Sequence, residues 1–181
     1  MISTTKELLE LGETEYSIKK KLIDGSLFLI ERGYYATSQD KNYKNEAFIS
    51  KKYPFAIITG LSAFFIYGLT DHIPDCFYLA TEQHSFPIRR DDIKQSYQDG
   101  AFFDVGVTNK QIDDGVVRTY DLERLLIELF RLKEKYPREV FYEVLASFRK
   151  IKDQIDFYKL NKYLRCFSNG SSLLLKIKEA I

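Results

Sequence analysis

Hydroxyl and basic side chains cluster between residues 13 and 33, where their types and spacing suit contact with a polyanion. Threonine, serine and tyrosine open a predicted helix, and their hydroxyl groups can bond to base edges or phosphates. Lysines follow on the same helix and an arginine stands in a predicted tight turn, where cations can neutralise phosphate charge. The candidate DNA contacts are Thr14, Tyr16, Ser17, Lys19, Lys20 and Arg32.

The segment around these residues predicts the elements that position them. Gly12 separates two short helices, and Asp24-Gly25-Ser26 ends the second. Two short strands follow, joined by the tight turn Glu31-Arg32-Gly33. Helix, glycine turn, helix and hairpin is the order of a winged helix-turn-helix. The first helix is predicted over residues 4–11, and the second runs from Thr14 or Ser17 to about residue 23. The two strands are predicted over 27–30 and 34–37.

Helical spacing predicts which side chains of this module face its core. Ile18 and Leu22 are four residues apart, so they share one helix face, which we expect to pack inward. The two lysines after Ile18 then project outward, and with the arginine of the turn they are predicted to contact phosphates. Thr14, Tyr16 and Ser17 lie closest to base edges, because the leading end of such a helix enters the groove first. The predicted core residues are Leu8, Leu9, Leu11, Ile18, Leu22 and Ile23.

Two carboxylates weigh against tight DNA binding. Glu13 and Glu15 flank Thr14 and would repel phosphates, although they could accept hydrogen bonds from cytosine amino groups. The alternative interpretation of Lys19-Lys20-Lys21 is a solvated helix face on a winged helix that binds no DNA.

The rest of the chain predicts a second, larger domain. A DNA-binding module at 1–37 is followed by a polar linker and a domain at 45–181, and the fold class is α+β with a helical C-terminal part. Predicted helices lie at 46–52, 61–67, 121–135, 137–152, 157–167 and 172–180. Predicted strands lie at 55–58 (or the start of a buried helix), 76–80, 102–107 and 115–120.

Charge is distributed unevenly along a chain whose net charge is only +1. Residues 54–120 carry five basic and nine acidic side chains, whereas 121–181 carry thirteen basic and nine acidic ones. We therefore expect the basic C-terminal helices to help hold DNA or a second protomer. No segment reads as a signal peptide or membrane span, and Cys76 and Cys166 stand alone. These features predict a cytoplasmic protein.

No residue set predicts catalysis, a metal site or a cofactor. Gly60-Leu61-Ser62 is similar to the opening of nucleotidyltransferase folds, which also need two carboxylates one residue apart on a strand. Asp71 and Asp75 are too far apart in sequence to share a strand face in that way. His72 and His84 lack the short spacing of a metal pair. We therefore expect a protein that is not an enzyme.

Several short motifs, in this order, resemble the AbiEi antitoxins of type IV toxin–antitoxin systems in phage abortive infection. Thr4-Thr5-Lys6-Glu7-Leu8, Lys21 to Leu27 and Arg32-Gly33-Tyr34-Tyr35 are similar to that family's N-terminal winged helix. Residues 56–63, 67–74 and 117–124 are similar to its second domain. The resemblance implies a repressor that binds inverted repeats in its own promoter, self-associates there, and counters a nucleotidyltransferase-like toxin without holding it in a complex.

One departure from that pattern leaves alternatives open. A winged helix usually has a helix before the one at 4–11, whereas only Met1-Ile2-Ser3 precede it here. Either the true start lies upstream, or later residues cover the core of a minimal domain. The runner-up function is a protein-interaction module whose winged helix binds no DNA, and a degenerate nucleotidyltransferase is third.

Overall fold

The computed structural model describes residues 2–37, 45–113 and 115–181. These residues mix helices with two β-sheets, which confirms the predicted α+β class. They divide into two compact units, the first comprising residues up to 52 with 111–117, and the second comprising 53–110 with 118–181. None of the helices in the described ranges is both long and apolar enough to cross a lipid bilayer.

The first unit contains helices and a three-stranded antiparallel sheet. Its strands are ordered β1-β3-β2, and β1 is a strand that the sequence did not predict. The predicted polar linker falls largely on residues 38–44, which lie outside the described residues. The elements are β1 (Ile2–Thr4), α1 (Thr5–Glu10), α2 (Glu15–Ile23), β2 (Phe28–Glu31), β3 (Tyr34–Ala36) and α3 (Glu46–Lys52).

Side-chain caps begin the first two helices. Thr4 caps α1 and exchanges hydrogen bonds with Glu7, which forms a capping box. Thr14 caps α2 in the same way, with Ser17 as its partner. Gly12 has a φ of 88°, a left-handed conformation that suits glycine and lets the chain turn between the helices.

The core of this unit is smaller than the sequence predicts. Leu8, Ile18 and Leu27 are buried together, and Leu22 packs against them. The prediction that Leu9, Leu11 and Ile23 face the core is wrong, because they are 44%, 78% and 87% exposed. Leu11 lies just after the end of α1 at Glu10, and Ile23 is the last residue of α2, so neither side chain has a further helical turn beside it.

Helix α3 packs within the first unit, although the sequence places it in the domain starting at 45. The Phe48 ring meets the Tyr34 ring edge-to-face, with centroids 5.5 Å apart. The Lys51 ammonium donates to the Ile2 carbonyl at 2.8 Å and pairs with Glu7 at 2.7 Å. Residues after the hairpin therefore pack against β3 and contact β1.

A five-stranded mixed sheet has the order β6-β5-β4-β8-β7, and the second unit contains β4, β5 and β6 whole, with residues 107–110 of β7 and 118–120 of β8. Strand β4 is central, pairs antiparallel with β5 and parallel with β8, and its two isoleucines are fully buried. Continuous apolar runs are typical of strands covered on both faces. The strands are β4 (Ile57–Ile58), β5 (Phe77–Glu82), β6 (Ile93–Gln98), β7 (Val107–Ile112) and β8 (Gly115–Tyr120).

Helices fill the rest of the second unit. Asp121 caps α6 by accepting a hydrogen bond from the Arg124 amide at 2.9 Å, at the start of the helix predicted over 121–135. Helix α6 is buried along most of its length and packs on α4, α8 and α9. The helices are α4 (Gly60–Ile66), α5 (Gly100–Phe103), α6 (Leu122–Arg131), α7 (Arg138–Lys150), α8 (Phe157–Leu164) and α9 (Gly170–Ala180), with 3-10 turns at Lys133–Lys135 and Lys152–Gln154.

The predicted strand at 102–107 is wrong. Asp99 caps the short helix α5 by accepting from the Ala101 amide at 3.0 Å, and β7 begins only at Val107. Gly106, with a φ of 78°, makes the turn between them. The apolar run at 102–107 thus divides between a helical turn and a strand.

Replacing Gly106 with alanine should destabilise the second unit by roughly 2–5 kcal/mol, from left-handed strain and overpacking together. An added Cβ would lie 2.6 Å from the Arg124 Cβ and 3.1 Å from the Asp121 Oδ1. Gly12→Ala is the matched control, because Gly12 has a similar φ and open space around it. Urea unfolding checks this, and equal losses in the two variants would contradict the packing argument.

Candidate nucleic-acid interface

Helix α2 presents one buried face and one polar face. Ile18 is only 4% exposed and packs against Leu8 and Leu27. The side chains that point away from this contact include Tyr16, which is 79% exposed, and the exposed pair Lys19 and Lys20. The predicted outward projection of these two lysines is therefore confirmed.

A groove of about 340 Å³ runs between α2 and the β2–β3 hairpin. Lys19 of α2 and Arg32 of the hairpin turn both line it, so the structure brings two of the predicted phosphate contacts to one place. Its apolar wall includes Leu22 and Leu29. Lys20 is not among the lining residues and lies near Asp24, whose pKa is lowered chiefly by hydrogen bonds from Ser26 and further by Lys20.

Ion pairs hold two of the acidic side chains that surround the cations. Lys21 hydrogen-bonds to Glu13, which lowers the pKa of that carboxyl. Lys52 pairs with Glu31 at the hairpin.

Lys19, Lys20 and Arg32, in contrast, make no ion pair with any residue in the described ranges. Glu15 also lines the groove and is the one carboxylate among its described lining residues. The groove thus carries two cations against one anion.

The hydroxyls predicted to read bases are engaged at the start of α2. Thr14 Oγ1 accepts from the Ser17 amide at 3.1 Å, and Ser17 Oγ accepts from the Thr14 amide at 2.8 Å. Ser17 Oγ also lies 2.6 Å from a Glu13 carboxylate oxygen, to which it donates. Thr14 and Ser17 therefore have a structural task besides any contact with DNA. Tyr16 is the base-reading candidate whose hydroxyl has no such engagement with the described residues.

Thr14→Ala should lower the free energy of unfolding by about 1 kcal/mol, because it removes the cap of α2. Thr14→Asn is the control, since asparagine caps a helix as well as threonine does. Thermal unfolding and a titration with DNA, carried out on both variants, separate capping from DNA contact. If Thr14 only caps the helix, the asparagine variant keeps full stability and full DNA affinity. A stable alanine variant would contradict the capping role.

Exposed apolar side chains are a feature of this surface that was not predicted from the sequence. Ile23 and Leu29 are 87% and 58% exposed, and Leu29 lines the groove beside Arg32. The sequence does indicate the exposure of Ile23, because this residue immediately precedes Asp24-Gly25, where the helix ends and the last side chain has no following helical turn to pack beside it.

The residues considered for catalysis or metal binding lie apart from this surface in the chain. Asp71 and Asp75 are exposed and precede β5, and His72 and His84 are exposed as well. Within the described residues, no group of three or more histidine, cysteine or acidic side chains is placed to hold a metal ion. Cys76 and Cys166 are free thiols.

Two comparisons of the sequence with known proteins found no relative. No protein-family model matches the chain, and no curated protein is significantly similar to it in sequence. The AbiEi resemblance therefore rests on the short motifs themselves, and the function is best argued from the surface of the first unit.

Proposed function

We propose that this protein is a double-stranded-DNA-binding transcriptional repressor whose first unit is a winged helix-turn-helix. The observation that carries the proposal is the pairing of Lys19 and Arg32 across one groove, while neighbouring Glu13 and Glu31 are neutralised by other lysines. Cations left without a protein partner are available to phosphates, whose neutralisation supplies most of the affinity of a DNA-binding protein.

In this proposal α2 lies in the major groove and the β2–β3 hairpin is the wing. Tyr16 and the start of α2 approach base edges, while Lys19 and Lys20 contact the flanking backbone. Arg32, at the hairpin turn, reaches the next phosphates or the minor groove. A turn of Gly12 between two capped helices is consistent with this arrangement.

The motif resemblance extends the proposal to an AbiEi-type antitoxin in the cytoplasm of a bacterium. The protein would repress its own promoter at inverted repeats, on which two copies bind side by side. It would also counter a nucleotidyltransferase-like toxin without binding it directly, through the second unit. That unit has no catalytic role in this account.

Two experiments test the two parts of this proposal. A titration of the full chain against a duplex from upstream of its own gene should give at least about a thousandfold tighter binding than to random duplex. Equal binding to both would refute the repressor function. Co-expression with the product of the adjacent gene should restore growth if that product is the toxin, and unchanged growth arrest would refute the antitoxin function.

A protein-interaction module is the second candidate, and the exposed apolar residues favour it. Ile23, Leu29 and Tyr16 together expose apolar surface of the kind found at binding sites for other proteins. Ile23→Ser separates the two functions. If the protein is a repressor, the Ile23→Ser variant keeps the affinity of the parent for the promoter duplex. If it is an interaction module, the variant loses its protein partner, and neither the parent nor the variant binds DNA.

A further inference from the structure

A cavity of about 500 Å³ lies in the second unit, on one face of the β5–β6 strand pair. These strands are parallel, with Tyr78 beside Lys94 and Glu82 beside Gln98, so these side chains share a face. The end of α6 and the following 3-10 turn close the cavity with Arg131, among others. The volume is in the range of small-molecule binding sites, which is about 300–1,000 Å³.

The lining of this cavity is basic. Lys94, Arg131 and Lys135 line it, and none of the described lining residues is acidic. Lys94 and Lys135 are exposed and make no ion pair with any described residue. The Lys94 ammonium lies 5.2 Å from the centroid of the Tyr78 ring, which keeps it over the cavity rather than beside a carboxylate. The lining therefore favours an anion.

Arg131 carries positive charge that the protein does not fully balance. Its Nη2 donates to Gln98 Oε1 and to Glu128 Oε2, both at 2.9 Å. The same carboxylate also accepts from Arg124 Nε at 2.9 Å, so one buried anion serves two guanidinium groups. The Nε of Arg131 is buried and has no hydrogen-bond partner among the described residues. Because two guanidinium groups share this one carboxylate, positive charge remains at the end of α6 and favours an anion in the cavity.

Tyrosine rings supply the apolar part of the lining. Tyr78 and Tyr136 line the cavity, whereas the side chain of Tyr97 alternates with Lys94 and Gln98 along β6 and faces the other side of the sheet. Burial raises the pKa of Tyr78 and of Tyr136, so both side chains are partly shielded from solvent and their rings can face a ligand's apolar body. The Tyr136 ring is held by an edge-to-face contact with Phe64, with centroids 5.6 Å apart. Fixed aromatic faces beside cations suit a planar base attached to a phosphate.

We propose that this cavity binds a nucleoside phosphate, with the phosphate at Lys94, Arg131 and Lys135 and the base against the tyrosines. The site belongs to the second unit alone, so it is separate from the DNA-binding surface proposed for α2 and the hairpin.

Calorimetric titration of the full chain with each of the four nucleoside monophosphates, and with inorganic phosphate, tests the proposal. We expect at least one nucleotide to bind, and the Lys94→Gln/Lys135→Gln variant to bind it at least tenfold more weakly. The control is Lys133→Gln/Arg138→Gln, which removes the same charge at exposed positions outside the cavity. It should bind like the parent. Circular dichroism verifies that both variants fold.

Three results would overturn the nucleotide site. The first is no detectable binding of any nucleotide at millimolar concentration. The second is an equal loss in the two double variants, which would indicate general charge attraction. The third is phosphate binding as tightly as the nucleotides, which would leave no role for the tyrosines. Promoter-duplex binding by the Lys94→Gln/Lys135→Gln variant is measured in parallel, and its retention shows that the first unit acts independently.

Discussion

Replacing Lys19 and Arg32 together with glutamine is expected to weaken binding to the promoter duplex roughly thirtyfold at about 0.15 M salt, because each phosphate contact contributes about 0.9 to the salt slope. The slope itself should become shallower by about two units. Binding to random duplex should fall by a similar factor, since phosphate contacts carry no sequence information. Fluorescence anisotropy at several salt concentrations measures both quantities.

Lys6→Gln/Lys178→Gln is the control for total charge. Lys6 is 85% exposed and makes only a long contact of 3.8 Å with Glu10, and Lys178 is exposed on α9. This variant loses the same net charge away from the α2–hairpin groove, so its affinity and salt slope should match the parent. If the two double variants behave alike, the groove is not the phosphate-binding surface.

Glu128→Gln is expected to cost about 3–5 kcal/mol of the free energy of unfolding of the second unit, as breaking a buried ion pair typically does. Glu128 is 1% exposed and holds the guanidinium groups of Arg124, which is fully buried, and Arg131. The neutral amide leaves both cations without a counter-charge in a poorly solvated site. Urea unfolding followed by circular dichroism gives the change.

Two further variants make this prediction specific. Glu134→Gln removes an exposed carboxylate in the 3-10 turn after α6 and should change stability by less than about 0.5 kcal/mol. Arg124→Met combined with Glu128→Leu should cost less than Glu128→Gln alone, because it leaves only Arg131 without its counter-charge, whereas Glu128→Gln leaves both arginines without one. A Glu128→Gln protein within about 1 kcal/mol of the parent would refute the role of the ion-pair network.

Elements with local signals were predictable from the sequence. Side-chain caps at Thr4 and Asp121 begin their helices where the sequence places them, and Thr14 is one of the two starts that the sequence offered for α2, because capping depends on residues within one helical turn. Helix α3 and strand β8 have the predicted bounds for the same reason, since turn or breaker residues flank each.

Features that depend on distant residues were not predictable. Strand β1 exists because it pairs with β3, more than thirty residues later, and a run of three residues has no periodicity to read. Strand β6 is polar along much of its length, and its parallel pairing with β5 decides its structure. The grouping of α3 with the first unit depends on Phe48 meeting Tyr34, a tertiary contact.

The candidate site was predictable in part. The 3.6-residue period of a helix was sufficient to place Lys19 and Lys20 on the outer face of α2, away from the buried Ile18. The groove that joins Lys19 to Arg32 depends on how the hairpin packs on α2, which spacing does not give. The engagement of Ser17 by Glu13 and Thr14 was missed because a serine at the third helical position can be read either as a cap partner or as a contact.

Hydrogen exchange of the full chain, with and without the promoter duplex, tests most directly whether α2 and the hairpin bind DNA. We expect slower exchange at residues 15–23 and 28–36 in the complex. The Lys19→Gln/Arg32→Gln variant, at the same protein and duplex concentrations and below the Kd of the variant for the duplex, should exchange at these residues as the free protein does. Protection confined to the second unit, with exchange at 15–23 and 28–36 unchanged, would contradict the proposed interface.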